Sequence, residues 1–267
     1  MFILDSEVYI RLGFFLGVFA VMALWELAAP RKALSTSKIT RWFINLSITF
    51  LNPVSLRLVF PLPATGLALM AKEKNWGIFN ILEIDYWTAG LLTIILLDLT
   101  IYFQRLLFHH VRIFWKFHMV HHTDINIDVT TGARFHPLEI ILSMGIKMIV
   151  VVLLGAPAWS VLVFEIVING TSMFNHSNAF IPLPVDRALR KFIVTPDFHR
   201  VHHSVLLHES NSNFGFSLSL WDRIFGTYQD QPRAGHKGMS IGLSDFREAN
   251  RLTLPYILAL PFIRKRR

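Results

Sequence analysis

The sequence contains no cysteine, which excludes disulfides, iron–sulfur clusters and thiolate zinc sites. Charge is scarce as well. Asp, Glu, Lys and Arg supply 16% of the 267 residues, against about 25% in soluble globular domains. Hydrophobic residues supply 53% and the mean hydropathy is +0.45, which argues against a freely soluble enzyme and for a membrane protein. Several signatures are missing. There is no Walker A loop, no G-x-G-x-x-G and no G-x-S-x-G elbow, and the lack of H-E-x-x-H disfavours a zincin protease. No cleavable signal pattern is expected: Asp5 and Glu7 stand where a signal peptide carries positive charge, and no A-x-A site follows the apolar run.

What is present is a basic excess and a concentration of histidine. Lys and Arg outnumber Asp and Glu by 26 to 18, giving +8. With so much apolar sequence, that balance points to a basic membrane-facing surface, and no nucleic-acid partner is expected. Of the twelve histidines, none precedes His109 and ten lie between His109 and His203.

Hydropathy lays out a helical membrane domain. The apolar run Leu12–Trp25, extendable to Ala29, is long enough to span. Gly13 and Gly17 either let another helix approach or are simply two glycines in an apolar helix. Arg31, Lys32, Lys38 and Arg41 follow, which places that end in the cytoplasm. Residues 42–71 form a second stretch that Pro53, Arg57, Pro61 and Pro63 should kink or break. A third runs Tyr86–Phe103 and contains Asp98; Leu138–Ile168 is divided by Gly155-Ala156-Pro157 and reads as two shorter helices in a hairpin. Segments 104–137 and 170–250 then share the side of the basic loop, and the basic end Ile263–Arg267 suits the same side. The expected fold is all-α: an integral membrane helical protein with a cytoplasmic-side histidine-rich helical cap. Its divisions are 1–91 (N-terminal spans), 92–230 (histidine-rich unit) and 231–267 (basic tail).

Three clusters organise the histidines. Arg105 and His109 close the third span, and His118-Met119-Val120-His121-His122 and His199-Arg200-Val201-His202-His203 repeat one pattern, H-x-x-H-H. On a helix, positions i, i+3 and i+4 share a face, so each copy offers three imidazoles in one direction. Neutral imidazole ligates iron, zinc, copper and nickel. Together with His176, the candidates are His109, His118, His121, His122, His176, His199, His202 and His203. That is too many for one tetrahedral zinc; one copy could hold one metal and the second copy another. His136 is either a support for ligands or a structural residue, His110 a neighbour of His109, and His208 and His236 ordinary surface or core residues. Asp98, Asp124, Asp128, Asp197, Asp222 and Glu139 are candidates to hold ligand imidazoles in place. Asp98 and Glu165 lie in apolar runs and serve either function, a salt bridge or helix packing. Arg200 and Arg223 read as partners of acidic residues or lipid phosphates.

The chain resembles the fatty acid hydroxylase/sterol desaturase superfamily, in particular bacterial sterol desaturase family proteins of this length. The resemblance covers roughly residues 92–230 and rests on Asp98-x-x-x-Tyr102, Trp115–His122, Thr131-Gly132-x-Arg134-Phe135-His136-Pro137-Leu138-Glu139, Asn175-His176, Thr195–His203, Asn213-Phe214-Gly215 and Trp221–Thr227. It implies an oxidoreductase of the bacterial inner membrane in which the eight histidines hold two non-haem irons on the cytoplasmic side. O2 is the implied co-substrate and a membrane lipid, fatty acyl or sterol, is hydroxylated or desaturated. Electrons come from a separate ferredoxin- or cytochrome b5-like partner. One position departs: the family's first motif is H-x-x-x-H, and Arg105 stands at its first histidine. Arginine stays cationic and cannot ligate a dication. Three outcomes stay open: one ligand fewer, replaced by water or a neighbour such as Gln104; one weakened metal position; or a catalytically impaired member that binds metal or lipid.

Overall fold

The computed structural model describes residues 6–248 and 253–263. Asp5 of the signal reading and the basic residues Arg264–Arg267 lie outside them. Helix α1 (Glu7–Ala28) starts earlier than hydropathy suggests. Helix α2 (Lys38–Val59) begins at Ser37, whose hydroxyl accepts from the Thr40 amide, and carries Pro53 inside it. Pro61 and Pro63 make the expected break, after which α3 (Ala64–Glu73) resumes. Helix α4 (Tyr86–His110) is capped by the Asp85 carboxylate and continues past Phe103, so Arg105 and His109 belong to the span itself. Extended backbone at Val111 turns the chain into α5 (Arg112–His122). Helix α6 (Pro137–Leu154) ends at Gly155, and α7 (Ala158–Asn175) follows, which are the two helices expected there. Gly155 has φ 69° and Gly77 φ 91°, and a Cβ on Gly77 would stand 2.0 Å from the Gly155 nitrogen. Only glycine permits both the left-handed turn and that approach. Short α8 (Pro196–His202) is capped by Thr195.

Among the described residues, four segments are long and apolar enough to cross a membrane: Glu7–Ala28, the broken Lys38–Ile81, Tyr86–His110 and Pro137–Leu154. Among the described residues there is no strand, only three isolated bridges. The all-α expectation therefore holds. Ala64, Ala68, Leu97, Ile101, Val151, Val161 and Phe164 interlock α3, α4, α6 and α7. The outer faces show the reverse of a soluble surface: Leu58 is 82% exposed, Phe50 73% and Trp87 70%. Apolar area on that scale needs lipid against it.

Charges inside the apolar runs are tied down. Glu165 of α7 pairs with Lys147 of α6 and Arg11 of α1. Arg11 also pairs with Glu7, which accepts from Thr65 of α3 at 2.7 Å. Glu165 is therefore a structural ion pair. Asp98 accepts from the Ser217 and Leu218 amides and from the Trp221 indole at 2.8 Å, fastening the 213–227 loop to α4. The loops after α1, α5 and α7 meet at one end of the bundle. Arg31 N–H donates to Asn178 O at 2.6 Å and Phe180 N–H to Ala29 O at 2.8 Å. Ser35 N–H donates to Asn126 Oδ1 at 3.0 Å. Both histidine-rich regions and the basic loop thus share that end.

Candidate metal centre

The end of the bundle where these loops meet holds the histidines. His109 comes from the last turn of α4, His118, His121 and His122 from α5, His176 from the end of α7, and His199, His202 and His203 from α8 and its C-terminus. They form two groups, His109–His118–His122–His202 and His121–His176–His199–His203, and within each one nitrogen per ring lies within 4.8 Å of the others. The grouping differs from one metal per H-x-x-H-H copy. Each copy is split: α5 gives its i, i+4 pair to the first group and His121 to the second, while α8 gives His199 and His203 to the second and His202 to the first. The three side chains share a face, as the spacing predicts, but that face straddles both groups.

Hydrogen bonding fixes ring states. His176 Nδ1 lies 2.7 Å from Ser172 O, His202 Nδ1 2.8 Å from Ser212 O and His121 Nδ1 3.3 Å from Arg134 O. A carbonyl only accepts, so these Nδ1 atoms carry the hydrogen and, in a neutral ring, Nε2 presents a lone pair. The lone pairs of His121 and His176 face each other at 3.0 Å, and His199 Nε2 is 2.9 Å from His176 Nε2. Two lone pairs cannot bond each other; a shared cation satisfies both. In the first group His109 Nε2 meets His122 Nε2 at 3.2 Å, and the buried His118 Nε2 and His202 Nε2 have no hydrogen-bond partner. The rings are neutral at pH 7. Burial above all holds His118, His121, His122, His199, His202 and His203 well below the usual histidine value; the Arg105 guanidinium adds to this at His118 and His202, and neighbouring imidazoles do so at His121, His122, His199 and His203. Burial pushes His176 down to about 3. Neutral nitrogen donors converging on a buried point fit a transition metal.

Among the described residues, Glu139 is the one carboxylate of those expected to orient ligands that bonds one of the eight clustered imidazoles: its Oε1 is 2.6 Å from His118 Nδ1. The others bind loop amides or arginines. Asp222 accepts from the Phe214 and Gly215 amides and from Thr227 Oγ1, shaping the 213–227 loop. Asp197 takes Arg31. Asp124 takes the Arg41 Nε and Nη2 at 2.9 and 2.8 Å, and Asp128 takes Nη1 at 2.6 Å. Burial alone would raise Asp124, but Arg41 outweighs it and holds the carboxyl at about 2. His136 caps α6, its Nδ1 accepting from Leu138 N–H at 3.1 Å, and its Nε2 is 3.2 Å from Leu258 O. His110 and His208 are exposed, His236 is buried, and none enters either group.

Arg105 is buried beside the second group. Its Nη1 donates to the carbonyls of Gly215 (2.9 Å) and Phe214 (3.3 Å), and its Nη2 lies 3.4 Å from His199 Nε2. Gln104 instead donates to Ser143. Neither four-histidine group includes position 105.

Several supporting residues escape a reading of the sequence. Arg134 bonds Val120 O, Asn45 Oδ1 and Thr123 Oγ1, clamping the end of α5. Glu26 of α1 accepts from the amides of Val129 (2.6 Å) and Asn178 (2.7 Å), joining the loops that follow α5 and α7. A charge at the end of an apolar run is the one signal that marks Glu26, the same signal that singles out Asp98 and Glu165. At Gly132 a Cβ would come 2.5 Å from Ser172 O, the carbonyl that orients His176.

A fatty acid hydroxylase family model matches residues 90–227. Ornithine lipid hydroxylase OlsE of Rhizobium tropici is 26% identical over 237 residues, covering 85% of this chain and 69% of that protein. Alkylglycerol monooxygenase of Homo sapiens is 24% identical over 180 residues, 65% of this chain and 38% of that protein. Methylsterol monooxygenase 1 of Gallus gallus is 32% identical over 130 residues, 47% of this chain and 41% of that protein. The chain therefore spans less than half the length of the latter two. No solved structure matches.

Proposed function

The chain belongs to the fatty acid hydroxylase family, and from that premise we propose a membrane-embedded lipid oxygenase that uses two non-haem irons, O2 and external electrons to hydroxylate or desaturate a lipid. The observation that carries this reading is the convergence of eight imidazoles, seven buried and His109 half-buried, in two four-nitrogen groups at one end of the spans. His109, His118, His122 and His202 would hold one iron, and His121, His176, His199 and His203 the other. Bound iron supplies O2 activation and C–H cleavage, chemistry that side chains alone lack.

The protein's part is to hold the ligands and deliver the lipid. The carbonyls of Ser172, Ser212 and Arg134 set three ring tautomers so that Nε2 faces inward. Glu139 does the same for His118 with a carboxylate. Arg105 places N–H donors beside His199 without occupying a ligand position, which favours a working centre over an impaired one. The apolar outer faces let a lipid approach within the bilayer, where its reacting carbon stays away from bulk water. The basic loop Arg31–Arg41 supports a cytoplasmic orientation for this end, in a bacterial inner membrane. A ferredoxin- or cytochrome b5-like donor would dock there.

Two measurements test the proposal together. Protein purified with its lipids and loaded with iron should carry two irons per chain. A strain lacking the gene should accumulate an unoxidised lipid that wild type clears and His203→Ala does not. One metal or none, with an unchanged lipid profile, would overturn it.

A milder effect is expected at Glu139→Gln, which keeps the shape and gives up the charge behind His118. Metal affinity of the first group should fall by about 10- to 100-fold, the usual range for a residue that orients a ligand. The second position should fill as before in a metal titration. Equal weakening of both positions would count against the assignment.

A further inference from the structure

A polar cavity of about 180 Å³, lined by none of the eight histidines, takes Arg200 of α8 into its wall. Its walls come from the loop after α1, the loop after α5 and the segment around Met239, and they include Lys32, Arg200 and Arg247 but no carboxylate. Arg200 is 1% exposed, and its Nε has no hydrogen-bond partner. Its neighbours are distant: Asn178 Oδ1 at 3.5 Å and Asp197 Oδ1 at 3.6 Å. Asp197 is already engaged, both its oxygens lying 2.9 and 3.0 Å from Arg31 Nε. Lys32 closes the cavity by donating to Met239 O at 2.7 Å. Burial, then the Arg200 charge, lowers the pKa of Lys32, so two cations press on one another across the space. A buried guanidinium with an unmade bond costs stability unless an anion completes it.

We propose that this cavity is an anion site for a phosphate-class group. Guanidinium and ammonium groups together suit phosphate geometry and charge. The volume is below the roughly 300–1,000 Å³ of sites for drug-sized ligands, so the space takes an inorganic anion or a headgroup and not an acyl chain. Its position favours the membrane surface: Lys32 stands four residues past the end of α1 at Ala28, and α2 begins at Lys38. This site does not depend on the oxygenase reading.

The test uses the full chain in phosphate-free detergent, titrated with inorganic phosphate at constant ionic strength. In parallel the chain is placed in nanodiscs of phosphatidylcholine, with and without phosphatidylglycerol. A saturable rise in melting midpoint is expected in at least one arm. Lys32→Gln and Arg247→Gln should each weaken it by at least about tenfold, equivalent to one lost charge contact, while Lys191→Gln outside the cavity should not. Arg247 and Lys191 are exposed, so their variants keep the fold. Response to phosphate assigns a free anion; response to phosphatidylglycerol alone assigns a lipid headgroup. No saturable response in either arm, or one that Lys191→Gln reduces equally, overturns the site.

Discussion

His203→Ala is expected to empty the second metal position and abolish lipid oxidation, with activity falling by more than the roughly 100-fold typical of losing an outer partner. His203 Nε2 lies 3.2 Å from His199 Nε2, and the ring stacks 4.5 Å from His122 of the other group. Removal leaves three imidazoles where four converge and loosens a neighbour of the first group as well. Elemental analysis and lipid turnover on the same preparation check the result. His208→Ala is the control, because that ring is exposed and belongs to neither group. Full metal content in His203→Ala would sink the ligand assignment, whatever the activity.

The second large effect is on stability. Arg41→Met should cost about 3–5 kcal/mol, the range for removing one partner from a buried ion pair. At roughly 2–4 °C per kcal/mol for a chain of this size, the melting midpoint should fall by about 6–20 °C. Arg41 donates to both Asp124 oxygens, to Asp128 and to the Asn126 carbonyl, and all three side chains are buried. Without the guanidinium, two buried carboxylates lose their bonded cation and keep only the charge of Arg134, whose N–H groups are committed to Val120, Asn45 and Thr123. Adding Asp124→Asn and Asp128→Asn to Arg41→Met should recover part of the loss. A midpoint that does not move would show that the network contributes little.

Much of this architecture is legible in the sequence, for reasons that also set the limit. The spans follow from hydropathy, and the break at Pro61–Pro63 follows from missing backbone donors. The shared face of His118, His121 and His122 follows from helical period. Pro53 alone does not break α2. The division of each H-x-x-H-H between two groups is not legible, because period gives a direction along one helix and not what stands opposite. The carboxylates show the same limit. Asp124 and Asp197 are close to histidines along the chain but bond Arg41 from α2 and Arg31 from the loop after α1. Glu139 reaches His118 from the next span. Residues that shape the centre from over eighty positions away, such as Arg41, Asn45 and Glu26, carry no local mark of that task.

Glu26 and Arg41 have a practical consequence. Both precede residue 90, where the stretch matched by the family model begins, yet one joins two loops of the centre and the other neutralises the turn between α5 and α6. The shared stretch is therefore no portable cassette. Excised at its similarity boundaries, it would lose the floor on which its own histidines rest, and a minimal expression unit has to begin with the first helix.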